Sequence, residues 1–120
     1  MNPKPPQDLR TRTKQYALRI IKLYSSMPKT TEAQVIGKQL LRSGTSVGAH
    51  YREAHRAKST ADFISKIEGG IQELDETAYW LELLVEGQIV PAAKLVELQK
   101  ETDELIAIFV TSVKTAKKRK

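Results

Sequence analysis

The chain has no cysteine, only two histidines and few aromatic residues, which make up 6% of its 120 positions. The absence of cysteine excludes a disulfide scaffold, a Cys-ligated zinc site and thiol catalysis. It fits a reducing compartment. Proline is scarce: after Pro3, Pro5 and Pro6 come only Pro28 and Pro91. No apolar run approaches the roughly 20 residues needed to span a bilayer. Met1–Arg10 has no apolar core of the kind a secretory leader needs, so the expectation is a cytoplasmic protein without a signal peptide or membrane contact. No repeat of about 20–50 residues is visible, which argues against a solenoid. A chain of this length predicts one domain over residues 1–120 that buries roughly two-thirds of its unfolded surface without metal or cross-links.

What is present is helical periodicity. Asp8 can cap a first helix running to about Ser26, with Tyr16, Ala17, Ile20, Leu23, Tyr24 and Met27 on one stripe. Pro28 closes that segment. Thr31-Glu32-Ala33-Gln34 matches a capping box and predicts a second helix from Thr31. Its stripe is Ala33, Ile36, Leu40, Gly44, Val47, Tyr51 and Ala54. The weak helix formers from Ser43 to Gly48 predict a bend or a close helix approach, or a division into two shorter helices. Ser59 can cap a third helix, with Asp62 in its first turn and Gly87 at its end. Its stripe runs Ile64, Ile67, Ile71, Leu74, Ala78, Leu81 and Val85. A fourth helix starts at Pro91, carries Leu95, Leu98, Thr102, Leu105 and Phe109, and frays into a basic tail, residues 114–120. Residues 1–7 read as an irregular arm. Four amphipathic helices with short links predict an all-α, antiparallel up-and-down four-helix bundle.

Two helices hold more apolar surface than one stripe needs. Tyr79, Trp80 and Leu83 on the third, and Ile106, Val110 and Val113 on the fourth, predict a face that copies of the chain bury against one another.

Charge is divided unevenly about a net of +6. Residues 1–30 hold seven basic residues and one acid, whereas residues 60–90 hold one basic residue and seven acids. The basic share makes Arg10, Arg12, Lys14, Arg19, Lys22, Arg52, Arg56 and Lys58 candidate phosphate contacts, helped by the C-terminal lysines. The competing reading is matching between a basic and an acidic helix. No zinc finger, RNP aromatic motif or GXXG loop supports base-specific readout.

Catalytic and metal-binding patterns are missing. His50 and His55 are five apart, off a common helix face. His50 and Glu53 lack the second Glu and His set of a di-iron bundle. Gly69-Gly70 has neither the lysine nor the strand of a phosphate loop. No enzyme activity, metal or cofactor is expected. Arg42 with Glu53 or Glu73 predicts a partly buried ion pair that sets helix register.

The run from Gln39 to Ala54, followed by Arg56-Ala57-Lys58-Ser59, Asp62-Phe63, Glu73 to Thr77 and Tyr79-Trp80-Leu81, resembles the four-helix-bundle family of 23S rRNA intervening-sequence proteins. The resemblance covers roughly residues 10–112. It implies a small bundle that forms a homopentamer, and a link to sequences inserted in bacterial large-subunit rRNA genes. It also implies distant kinship with the accessory variability protein of diversity-generating retroelements, a basic pentamer that binds nucleic acid and a reverse transcriptase. Arg42, Ser46, Glu53 and Glu73 fall on its polar motif positions. His50, Ala54 and Gly48 depart from it, where Asn, Gly and Pro are usual. The resulting expectation is a non-enzymatic homo-oligomer that binds RNA or DNA backbone. The alternative is a scaffold for a protein partner such as a reverse transcriptase.

Overall fold

Helix boundaries follow from local chemistry. In the computed structural model, which describes residues 8–119, the elements are α1 (Leu9–Ser25), α2 (Thr31–His55), α3 (Thr60–Glu86) and α4 (Ala92–Arg119). Among the described residues there is no strand. The arm expected at residues 1–7, and Lys120, lie outside the described residues.

Three helices begin at a side-chain cap that satisfies an orphan backbone donor. Asp8 Oδ1 accepts from the Arg10 amide at 3.0 Å, and Ser59 Oγ from the Asp62 amide at 3.0 Å. The cap of α2 is Thr30, whose Oγ1 accepts from the Ala33 amide at 3.3 Å. The capping-box reading therefore fell one residue late: two adjacent threonines offer the same chemistry, but the extended backbone sits at Thr30. Pro91 stands just before α4, with its carbonyl accepting from the Lys94 amide. At the end of α3 the left-handed residue is Gln88, at φ 58°, while Gly87 keeps an ordinary φ of −79°.

The stretch from Ser43 to Gly48 does not divide α2, which is one helix of 25 residues. Its glycines serve the close-approach expectation. A Cβ on Gly44 would lie 2.8 Å from Cγ1 of buried Ile20, which brings α1 tight against α2. Likewise, a Cβ on Gly70 of α3 would lie 2.7 Å from Cε2 of Phe109 on α4. α2 and α3 share the broadest contact, α1 packs on α2, α4 packs on α3, and α1 approaches α4 only narrowly. α1 and α3 have no close backbone approach and stand diagonally across the core.

The core runs the length of the chain through Ile20, Leu40, Val47, Ile67, Leu74, Leu81, Leu84, Leu95, Leu105 and Phe109. Each such side chain contributes about 1.5–3 kcal/mol by leaving water. Across its middle lies a buried hydroxyl layer with one residue from each helix. The Tyr16 hydroxyl lies 2.6 Å from Thr102 Oγ1, and Ser43 Oγ lies 2.8 Å from Thr77 Oγ1. Thr102 and Thr77 also donate to the carbonyls of Leu98 and Glu73. Every hydroxyl of the layer thus has a partner, as burial demands. Burial pushes the Tyr16 phenol up to about 12, because its ionised form would lose hydration.

The tail does not fray. Val113 and Ala116 extend the stripe of Phe109 into the core, so α4 stays helical to Arg119. This corrects two expectations. Residues 114–119 are helix, and Val113, at 6% exposure, is core within a single chain rather than interface. Of the other residues expected at an interface, Tyr79 is 53% exposed, while Trp80, Leu83, Ile106 and Val110 are half-buried. Among the described residues, no helix is long and apolar enough to cross a membrane, and no cluster of three metal-ligating groups occurs.

Candidate nucleic-acid interface

Arg52, in the last turn of α2, and Arg56, the cap just past its end, are four apart and line the same cavity. Arg10, in the first turn of α1, meets them there. The three arginines line a cavity of about 330 Å³ together with Tyr51, Glu53 and His55. Tyr51 and His55 tilt against each other with ring centroids 5.5 Å apart. Burial raises the Tyr51 phenol above its usual range, and the charge of Asp8 adds to this. Glu53 turns to Lys66, at 3.6 Å. Among the described residues, Arg10, Arg52 and Arg56 form no ion pair.

His55 also borders a second, larger cavity of about 800 Å³. It opens between the end of α2, the start of α3 and the last turns of α4, and no α1 residue lines it. Phe63 and Ile108 supply apolar surface, Ser59, Thr111 and Ser112 supply hydroxyls, and Lys58 and Arg119 supply charge. Both cavities border His55, and their basic residues gather at the same end of the bundle. Such a cationic end can neutralise phosphates and donate hydrogen bonds to their oxygens, as guanidinium groups do best.

Two other arginines, Arg12 and Arg42, are already held by carboxylates. Arg12 Nε and Nη2 each donate to Glu101 at 2.7 Å, and Nη2 also donates to Glu104 at 2.7 Å. These bonds to Glu101 and Glu104 raise its already high pKa further, against the opposing effect of burial. Arg42 Nη1 reaches Glu73 at 3.2 Å and its Nη2 reaches Glu76 at 2.5 Å. His50 Nε2 stands 3.7 Å from Glu73, and its Nδ1 is buried without a hydrogen-bond partner among the described residues. Ser46 donates back to the Arg42 carbonyl at 2.6 Å.

Residues 7–111 match the family model described as 23S rRNA-intervening sequence protein. The chain belongs to this family. A crystal structure of a protein of unknown function from the S23 ribosomal protein family, from Bacteroides thetaiotaomicron, is 34% identical. It covers 89% of this chain and 99% of its own, with a TM-score of 0.84. No curated protein matches.

In this 23S rRNA-intervening sequence protein the eight expected phosphate contacts separate into three groups. Arg10, Arg52, Arg56 and Lys58 gather at the cationic end. Arg12 is held by two carboxylates and is not free to meet a phosphate. Lys14, Arg19 and Lys22 are exposed along α1, and none lines either cavity. Of the polar motif residues, Arg42 and Glu73 meet, Ser46 stays within its own helix, and Glu53 pairs with Lys66 instead of Arg42. Sequence reasoning passed over Tyr51, His55 and Arg119 as members of this surface. For Arg119 a signal existed: Phe109, Val113 and Ala116 keep the helical spacing into the tail.

Proposed function

We propose that this protein is a non-enzymatic, cytoplasmic RNA- or DNA-backbone-binding protein built as an antiparallel up-and-down bundle and assembled as a homopentamer. The observation that carries the binding is the sharing of one cavity by Arg10, Arg52 and Arg56 without a carboxylate partner among the described residues. These guanidinium groups keep their donors free of any ion pair among the described residues, and a polyanion that binds them gains by releasing its own counterions. The antiparallel course is supported by residue pairing. Thr13, Ile20 and Tyr24 lie against Gly48, Gly44 and Gly37, and Arg42 and His50 lie against Glu76 and Gly69. In a cyclic assembly every copy repeats the cationic end, so a modest patch becomes a multivalent one.

An electrophoretic shift series with structured RNA and duplex DNA tests the binding. The expected result is binding at about 50 mM salt that weakens steeply by about 200 mM. Absence of a shift at the lower salt overturns it. Light scattering of the purified protein tests the assembly, with five chain masses as the expected result.

A further inference from the structure

The outer faces of α1 and α3 carry matching stripes of opposite charge. Lys14, Leu18 and Lys22 recur every four residues with Ile21 three after Leu18, and all are exposed, Leu18 at 48% and Ile21 at 42%. Asp75, Tyr79, Glu82 and Glu86 follow a three- and four-residue spacing on α3 and are exposed as well, with Tyr79 at 53%. Each stripe places charge on either side of an apolar centre. From Lys14 to Lys22 the axial distance is about 12 Å, and from Asp75 to Glu82 it is about 10 Å, at 1.5 Å per residue. None of these five charged groups forms an ion pair among the described residues.

The stripes cannot meet inside one chain. α1 and α3 have no close backbone approach and flank the core from different sides, so the two stripes do not face each other. Neither stripe suits a copy of itself, because a two-fold contact would set lysine against lysine or carboxylate against carboxylate. The remaining pairing is between unlike faces of two copies. We infer that the partner is a second copy of this chain, whose acidic Asp75–Tyr79–Glu82–Glu86 face seats on the basic Lys14–Leu18–Ile21–Lys22 face of the first. The contact is head-to-tail, and none of its residues lines the cavity shared by Arg10, Arg52 and Arg56. It assigns Lys14 and Lys22 to assembly rather than to nucleic acid. The inference rests on the oligomeric reading above and names the surfaces that build it.

Charge reversal with light scattering and native mass spectrometry tests the contact. The wild-type mass is measured first. Lys14→Glu/Lys22→Glu and Asp75→Lys/Glu82→Lys are then each expected to fall to the mass of one chain, with helical content retained by circular dichroism. The quadruple variant, which restores opposite charges across the contact, is expected to regain the wild-type mass. Reversals that leave an assembled wild type unchanged overturn the contact while the oligomeric reading stands. A quadruple variant that stays a single chain also overturns it. A wild type that is itself a single chain overturns both.

Discussion

The middle of the bundle and its cationic end use the same residue type to opposite ends. In the middle, Arg12 sits between Glu101 and Glu104, and Arg42 between Glu73 and Glu76. At the end, Arg10, Arg52 and Arg56 share a cavity without such a partner among the described residues. Count of arginines is therefore a poor guide to where a polyanion can bind. A guanidinium already chelated by a carboxylate has spent its fork of donors, whereas an unmatched cluster repels itself until an anion arrives.

Breaking each region separately sharpens the contrast. The largest expected effect lies in the buried hydroxyl layer. Below about pH 10 Tyr16 holds its proton whether the chain is folded or unfolded. Between about pH 10 and 12 only the folded chain still holds it, so stability falls as the pH rises, by up to about 3 kcal/mol. Tyr16→Phe removes this loss, and urea unfolding at pH 9 and 11 reads the difference between the two proteins. Next is Glu101→Ala, which strips half-buried Arg12 (22% exposed) of its bidentate partner. It is expected to cost about 2 kcal/mol in chemical unfolding while leaving nucleic-acid affinity unchanged.

At the other region the pattern inverts. Arg52→Ala/Arg56→Ala is expected to lower RNA or DNA affinity about tenfold, or about 1.4 kcal/mol, and to flatten the salt slope by roughly 0.9 per lost duplex contact. Thermal unfolding should move by no more than about 0.5 kcal/mol, since no intramolecular pair is lost. The smallest effect belongs to Glu76→Gln, because that carboxylate and Arg42 are about half exposed and Arg42 keeps Glu73. A loss below about 1 kcal/mol in thermal unfolding is expected. A larger loss would place the pair of Arg42 and Glu76 among the contacts that fix helix register.

The four helices were legible because their apolar stripes repeat faithfully and only two prolines interrupt them. The ends were legible only where chemistry broke a tie. Thr30 and Thr31 are alike by type, so the true cap of α2 depends on backbone geometry that the sequence does not display. Lys114 to Arg119 read as a solvated tail because charge masked the buried position Ala116. The cationic surface was half legible. Arg52 and Arg56 are neighbours by spacing alone, but their meeting with Arg10 joins opposite ends of two helices. The pairing of Arg12 with Glu101 spans 89 residues and depends on how α1 and α4 are set against each other. Glu73, by contrast, could be named for Arg42 in advance, though with Glu53 as its rival.

One disparity in helix length has a mechanical consequence. α1 has 17 residues and α4 has 28, and the last turns of α4 border the larger cavity where α1 contributes nothing. Those turns act as a cantilever, stiff because the backbone bonds itself and anchored on one side by Val113 and Ala116. Position along such a beam is metered in steps of about 1.5 Å and 100° per residue. Inserting or removing a single residue after Ala116 would thus swing Lys117, Lys118 and Arg119 around the axis like cams on a shaft, re-aiming their charge with the packed body untouched.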